Sequence, residues 1–554
     1  MAIQPQTDLR LLKVPFTIDN KNQLTFSNKN AQSSYFLSLP HLEINNISYQ
    51  RKDSIIRYPA HIDSIIQYNY CMYQNENYTN KWFYGFIIGM KYINDGMTEI
   101  LIQTDVYQTW QFDITFKESF VEREMIAVAN DVPGANLEPE GFETGEFKIN
   151  ASSAVDGLKP VYIVAYGSNP KEDGLTQQTP AGQGMIINGV ASGIYYCLCN
   201  NHTIQGLLST INSPNIGKGE SIIAIFSVPA LALVGYNGLT ISELIEDSSL
   251  LLWIVNDFKA NPITINLNAL PTSLDGYTPR NQKLRTYPFI YLGFNPQNAS
   301  EKIYRYEDFS NNTPVFKVMS EVNPNPTVCF IPQNYRGKSN NNVNDIGIMN
   351  GYPQISWVTD YFNNWLAQNG NILKLQMEQE KYNYQIDATK KGIDMAGNMV
   401  SNALTLNAVG SITDATNDAL DLARLDKNHE FYVKNQMAQI EKQEMLPNTA
   451  HLGTSSTLLG YDLLHDGAFT RYSIKAQFAR KIDKYFDMYG YLTNERKVPN
   501  LNNRPNWNYV KTIGANIVGN IPQYDLQAIK TMFDNGVTLW HNSSTFLDYS
   551  QNNR

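Results

Sequence analysis

The stretch KWFYGFIIGMKYINDGMTEILIQTDVY, residues 81–107, decides the fold class. Its first half, residues 81–93, is apolar on both faces. Asn94, Asp95 and Gly96 follow, and these residue types tolerate the positive φ of a tight hairpin turn. The return limb alternates, with Ile100, Ile102, Thr104 and Val106 on one face and Glu99, Gln103 and Asp105 on the other. The pattern predicts a hairpin with one buried face and one polar, acidic face. Two readings fit that polar face: the wall of an aqueous channel lined by Glu99, Gln103 and Asp105, and an ordinary solvated sheet surface.

Working outward, residues 1–125 read as an N-terminal β domain. Residues 126–340 are rich in Gly, Pro and Asn, with short apolar runs at 161–165, 221–228 and 250–255 and turn signals at 212–215 and 275–276. They predict a second β-rich domain. An Asn-rich run at 339–344 leads into residues 341–452, where no proline occurs between Pro353 and Pro447. Proline breaks helices, so its absence here predicts a helical excursion. Val358, Tyr361, Phe362, Trp365 and Leu366 open it at helical spacing, and a return arm carries Leu422, Val433, Met437 and Ile440.

The tip of that excursion, residues 393–412, has Asp394 as its only charge. Its apolar residues are Ile393, Met395, Met399, Val400, Leu404, Leu406, Val409 and Ile412. Charged arms with a nearly neutral tip fit an ordinary helical hairpin, and they also fit a plug or a membrane-probing tip. About 20 residues suffice to cross a bilayer. Six aliphatic residues at ~−0.5 kcal/mol each contribute roughly −3, and Asp394 costs up to about +3. One copy is therefore at break-even before Asn398, Asn402 and Asn407 are counted.

Residues 453–554 predict a C-terminal α/β segment that completes the N-terminal domain. After a Gly/Ser/Thr linker at 453–457, Ile474, Phe478, Ile482, Tyr485 and Tyr489 share one helical face. Asp483 and Asp487 lie on that helix among lysines that would neutralise them. A strand is expected over 512–518, and a helix through Leu526, Ile529 and Phe533 should end at Asn535-Gly536. The fold class is mainly β with an α-helical excursion: barrel-like β domains, a second β-rich domain and a long helical or apolar loop.

Composition narrows the function. A net charge of −9 argues against a nucleic-acid-binding surface, which needs clustered Lys and Arg. Charged residues make up 17%, below the typical ~25%, and Tyr and Asn take their place, as at surfaces that meet other subunits. The four cysteines form neither a disulfide framework nor a zinc site, and Cys197 and Cys199 read as buried thiols near a strand. The N-terminal residues carry no apolar signal core, so synthesis and assembly in a cytoplasm are expected. Arg336-Gly337-Lys338-Ser339 fails as a phosphate loop, because Pro332 occupies the position of the first glycine. No metalloprotease, hydrolase or dinucleotide motif appears. Glu122 and Glu124 around Arg123 read as a solvated ion-pair cluster, and His541 beside Trp540 as a core or interface residue. Neither an enzyme nor a cofactor is expected.

Three stretches carry a resemblance. Val106, Gln108, Thr109 and Trp110 form V-x-Q-T-W, which is followed by F-x-E-S-F-V-x-R-E at 116–124. YLTNERKVPNLNNRPNWNYVKT occupies 491–512, and F-D-N-G-V-T-L-W-H occupies 533–541. These resemble the distal tail knob proteins of small, picovirus-type short-tailed bacteriophages of Gram-positive hosts. The likeness is good over about the first 125 and last 90 residues and poor over 130–330. It implies a virion protein of the tail tip: a homohexameric tube and knob, closed before DNA ejection by six apolar loops that then engage the host membrane. Implied partners are further copies, other tail and connector proteins, phage DNA passing without specific binding, and the host cell membrane. The tip departs from that pattern, being shorter and bearing Asp394 and several Asn, so plugging carries over better than insertion. Four strands per copy would close a ring of about 24, some 45–50 Å across at ~4.8 Å spacing and ~40° tilt. The alternatives are a receptor-binding adhesin using the 126–340 region and a tail-associated cell-wall hydrolase.

Overall fold

The computed structural model describes residues 6–47, 54–75, 81–153, 155–180, 185–187, 190–213, 215–255, 261–296, 301–337, 345–352, 357–359, 449–451 and 468–554, with a few positions between 434 and 442. The chain divides into two compact units. The first holds residues 1–148, 271–290 and 473–554, and the second holds 149–270 and 291–472. These borders differ from the expected ones, since 126–148 and 271–290 belong to the first unit. The reason is a set of buried polar contacts described below.

In the first unit, a six-stranded antiparallel sheet contains β1 (Thr7–Leu12), β3 (His41–Ile47), β4 (Ile55–Tyr58), β5 (Tyr70–Asn75), β6 (Trp82–Asn94) and β7 (Met97–Thr104). Its order is β3-β1-β5-β6-β7-β4, and it is curled. The β6–β7 turn falls at the expected place, where Asn94 Oδ1 accepts from the Gly96 amide at 3.0 Å. One face packs Leu9, Leu11, Ile56, Cys71, Tyr73, Ile100 and Ile102 together. With a period of two, every second residue reaches that core, as the alternation in β7 requires.

A five-stranded sheet joins distant parts of the chain. It contains β2 (Asn22–Leu24), β9 (Ser119–Glu124), β10 (Tyr491–Lys497), β11 (Trp507–Ile513) and β13 (Val537–Trp540), in the order β2-β13-β11-β9-β10. The β2–β13 pair is parallel, Asn22 opposite Thr538. A short pair, β8 (Ile114–Phe116) with β12 (Ile517–Gly519), lies outside it. The expected strand over 512–518 is thus two strands broken at 514–516, where Gly514 has φ +67°.

Helices fill the spaces. Helix α1 (Lys29–Ser38) is capped by Asn28, whose side chain accepts from the Ala31 amide, and it places Phe36 in a core with Tyr70, Tyr84, Trp507 and Trp540. A single turn, α2 (Ile62–Ile65), contributes Ile65 to the core of the curled sheet. Helix α3 (Val106–Trp110) follows β7 directly. Helix α4 (Ala476–Tyr489) buries Ala479, Ile482, Asp483 and Phe486. The expected face thus gains Phe486 and loses Ile474, which lies in the strand Phe469–Ile474. Helix α5 (Gln523–Asn535) packs Leu526, Ile529, Met532 and Phe533 on Val510 and Leu539 and ends, as read, at Gly536 with φ +89°.

The second unit is built from further four-stranded sheets. Ile222–Pro229, Pro160–Tyr166, Tyr195–Cys199 and Leu251–Trp253 form one, with separate apolar clusters that include alternate residues of Pro160–Tyr166. Cys197 and Cys199 are free, buried thiols on its third strand. Ile263–Asn266, Val315–Ser320, Val328–Pro332 and Gly347–Met349 form another. A third, of Phe147–Ser153, Phe469–Ile474, Ile290–Phe294 and Lys302–Tyr304, lies mostly in this unit.

Most of residues 353–452 and the linker at 453–457 lie outside the described residues. So do all the apolar tip positions, Ile393, Met395, Met399, Val400, Leu404, Leu406, Val409 and Ile412. At the start of the excursion the helical expectation is corrected: Trp357–Thr359 is a strand, paired antiparallel with Thr449–His451. The described positions Lys434, Asn435, Ala438, Glu441 and Lys442 of the return arm are helical. Among the described residues, no helix is long and apolar enough to cross a membrane.

Candidate functional site

The residues expected on a channel wall do not share one environment. Gln103 is exposed opposite Phe86, and Glu99 is half-buried between Arg57 and Lys91 on the neighbouring strands. Leu101 stands between them on the same face, so the face is not uniformly polar. Asp105 is a correction. The strand ends at Thr104, and Asp105 becomes the N-cap of α3, buried at 1% exposure. Its Oδ1 accepts from the Gln108 amide at 3.1 Å and its Oδ2 from the Tyr70 hydroxyl at 2.9 Å. Burial raises its pKa to about 6, against the lowering effect of those hydrogen bonds. A carboxylate in this position holds a helix start and lines no passage.

The V-x-Q-T-W stretch is that helix, and its side chains tie elements together. Gln108 donates to Gln23 Oε1 at 3.0 Å and the Leu24 carbonyl at 2.8 Å, and it accepts from Gln32. Thr109 Oγ1 bonds both backbone groups of Tyr84 at 3.2 Å. Trp110 Nε1 donates to Asp525 Oδ2 at 2.7 Å on α5. The most recognisable motif of the chain is therefore a structural hub rather than a reactive centre.

The acidic residues around Arg123 are corrected in the same sense. Glu124 is fully buried, and its carboxylate accepts from Lys497 Nζ at 2.6 Å, the Asn500 amide at 3.0 Å and Asn500 Nδ2 at 2.9 Å. Arg123 turns inward to Glu140 and donates to the Gly490 carbonyl at 2.7 Å. Glu140 also takes Lys283 Nζ and the Leu492 amide, both at 2.8 Å. Lys283 is depressed by burial, an effect that Glu140 opposes. Glu122 pairs with Lys511 at 2.7 Å.

Asp483 is likewise not neutralised by lysines. It is buried on α4 and accepts from the Tyr277 hydroxyl at 2.7 Å, the Arg280 and Asn281 amides at 2.9 Å and Asn281 Nδ2 at 2.8 Å. Asp487 pairs with Arg280, and burial pushes its pKa up. Asp131 takes Tyr491, Arg554 and the more distant Arg504. These contacts bring residues 271–290 and 126–148 into the first unit. Sequence reading missed most of them because the partners are far apart, 143 residues for Glu140 and Lys283 and 423 for Asp131 and Arg554. The one available signal was an Asp on the apolar side of an amphipathic helix.

A cleft of about 490 Å³ opens beside Glu124, lined also by Asn130, Leu137, Glu138, Glu495, Asn500 and Asn503. Three donors hold the Glu124 carboxylate at its edge, from Lys497 and Asn500. His541 is half-buried beside Trp540. Its Nε2 faces Asn508 Oδ1 at 3.0 Å, an oxygen that also accepts the Asn503 and Arg504 amides. That assigns the proton to Nε2 and leaves Nδ1 to accept from Thr25 at 2.8 Å. Burial lowers its pKa to about 4. Among the described residues, no group of three His, Cys, Asp or Glu is placed to hold a metal ion.

Comparison with known proteins agrees along nearly the whole chain. Residues 255–554 match the family of the Bacillus phage phi29 tail knob protein gp9, C-terminal domain. Residues 5–117 match a family described as the caudoviral major tail protein N-terminus. The chain is 26% identical to the tail knob protein gp9 of Bacillus phage B103, covering 99% of this chain and 98% of that protein. It is 25% identical to that of Bacillus phage phi29, over 97% and 96%. The bacteriophage C1 tail knob protein, gp12, superposes with a TM-score of 0.63 over 98% of both chains. At 13% identity that likeness is one of fold.

Proposed function

The chain belongs to the family of the phi29 tail knob protein gp9, a structural component of the phage tail, and from that premise we propose that six copies form the distal tube and knob through which the genome leaves the virion. The observation that carries the reading is similarity to tail knob proteins over 97–99% of the chain, knob region and excursion included. A net charge of −9 suits a conduit, because an acidic wall repels phosphate and lets DNA slide. Before ejection the tip at 393–412 obstructs the channel, six copies burying together the small and apolar residues that one copy cannot. The other tail and connector proteins hold the ring at the tail end, and assembly takes place in the host cytoplasm. Contact of the tips with the host membrane is transient, because Asp394 and the asparagines oppose stable insertion. No catalytic role enters this reading: the buried carboxylates of the first unit are engaged by donors that hold the fold.

Light scattering on the purified protein should give a mass near six times 62.8 kDa, and averaged end-on micrographs should show a six-fold ring with an open or plugged centre. A chain that stays single at micromolar concentration, in virions that lack a terminal ring, would defeat the proposal.

A further inference from the structure

Helix α5 turns a polar stripe outward. Tyr524, Gln527, Thr531 and Asn535 follow at i, i+3, i+7 and i+11, and all four are exposed, Tyr524 at 84%. Across a cleft of about 520 Å³ stands the turn that holds Asp19, Asn20 and Lys21. That volume is within the ~300–1,000 Å³ usual for small-ligand clefts. The buried Met532 and the half-buried Ala528 give it an apolar base. The turn is fixed from within. Asp19 Oδ1 accepts from Thr17 Oγ1 at 2.8 Å and from the Lys21 amide at 3.1 Å, Asn20 sits at φ +55°, and the Lys21 carbonyl takes the Thr538 amide at 2.8 Å. The opposite wall is held by the packing of α5 on Val510 and Leu539. Two walls set by the fold thus present side chains that the fold leaves unused. Among the described residues, nothing bonds the Tyr524 hydroxyl or the carboxamides of Gln527 and Asn535.

We propose that this cleft binds a neutral saccharide, with Tyr524 as the platform for one face of a sugar ring and Gln527, Asn535 and Asp19 as partners for its hydroxyls. The inference goes beyond the tube and knob reading and does not depend on it. Charge selects against ions. Asp19 and Lys21 are the charged residues of the lining, and Asp19 Oδ2 lies 3.7 Å from Lys21 Nζ. Each offsets the other, so neither a phosphate nor an ammonium group meets an unbalanced charge. Hydrogen bonding selects for hydroxyls. A carboxamide sets two donors beside an acceptor, a carboxylate only accepts, and a hydroxyl does both, so these walls can engage adjacent hydroxyls in either role. The exposed ring selects for a ligand with an apolar face, since tyrosine supplies flat contact area at small entropic cost and the C–H face of a sugar is flat. A second protein chain fits less well. The centre of a protein interface is apolar and depleted in charge, whereas an ion pair and two free carboxamides line this cleft.

The test is saturation-transfer NMR on the full chain with glucose, galactose, N-acetylglucosamine and N-acetylgalactosamine at millimolar concentration, and with glucuronic acid and glucose 1-phosphate as charged counterparts. At least one neutral sugar should bind, and the charged ones should bind no better. Tyr524→Ala should weaken that binding about ten-fold or more, as loss of an aromatic anchor does. Tyr524→Phe, which keeps the ring, should retain most of it. Gln527→Ala with Asn535→Ala should weaken it as well. All three positions are exposed, so unchanged circular dichroism is expected and confirms that the variants fold. Binding to none of the neutral sugars overturns the proposal, and so does binding to the charged ones alone. Binding that survives both Tyr524→Ala and the double variant places the sugar elsewhere and overturns it too. If no sugar binds and Tyr524→Ala instead changes the mass of the assembled protein, the cleft is a contact between copies and the saccharide reading is wrong.

Discussion

Asp105 shows how one buried carboxylate makes the stability of a fold depend on pH. It caps α3 and receives the Tyr70 hydroxyl, yet it has no cation beside it in the hydrogen-bond set described above, and burial carries its pKa up to about 6. The unfolded chain titrates this group near 3.8. Between these values the folded state binds more protons than the unfolded one, so stability contributed by the protonated form is present below about pH 4 and is lost as pH rises through about 6. Asp105→Asn keeps an acceptor for the Gln108 amide and removes the titration. The expected outcome is a difference in unfolding free energy, wild type minus variant, that grows toward acid by on the order of 2–3 kcal/mol at ~1.4 kcal/mol per pH unit. Urea titrations at pH 4, 5, 6 and 7 on both proteins measure it, and a flat difference would rule out the raised carboxyl. His541 acts in the opposite sense, since its lowered pKa makes stability fall as pH drops below about 6.5, but it is common to both proteins and cancels in the difference.

At the scale of elements, the passage from α4 into β10 depends on one glycine. Gly490 adopts φ +65° and ψ −153°, and a Cβ there would meet the Glu124 carbonyl oxygen at 2.1 Å. Gly514 also has positive φ, +67°, but nothing lies within 4 Å of its Cβ position. Gly514→Ala should therefore cost only the backbone term, about 1 kcal/mol. Gly490→Ala adds a clash with backbone and should cost at least about 3 kcal/mol. Chemical denaturation midpoints of the two variants check the ranking, and equal losses would contradict it. Neither cost was legible in the sequence, because the strand that crowds Gly490 is 366 residues away. What was legible was local: the turn at Asn94-Asp95-Gly96, the stop at Gly536 and the apolar stripe of α4 each follow from residue type and spacing. Reading failed where a residue answers to a distant partner, as Asp483 does to Asn281 and Glu140 to Lys283. It also failed at Asp105, where strict alternation extends one residue past the strand into a helix cap. Helix α1 went unread because its stripe is weak, although Asn28 was an available start signal.

At the scale of the molecule, the tip sequence and the described fold are separable, and that yields the last prediction. The excursion leaves through Trp357–Thr359 and returns through Thr449–His451, two strands that pair with each other. The chain is thus closed at the base of the excursion, and the contacts described in both units are made by residues outside 394–411. Removing residues 394–411 should leave the units, and any ring they form, unchanged in mass. The seal is a different matter. On the proposed reading, six symmetric tips burying about 200 Å² each would contribute only ~5 kcal/mol per copy at ~25 cal/mol per Å², enough to close a passage and little enough to be expelled under genome pressure. Particles carrying the deletion should therefore assemble with normal tails and then lose DNA, read as nuclease-accessible genome and a fall in infectious titre. If those particles kept their genomes and remained fully infectious, the tip would not be the gate. If rings failed to form, residues 394–411 would be acting in assembly, where the apolar tip is needed before the tube exists rather than after it is filled.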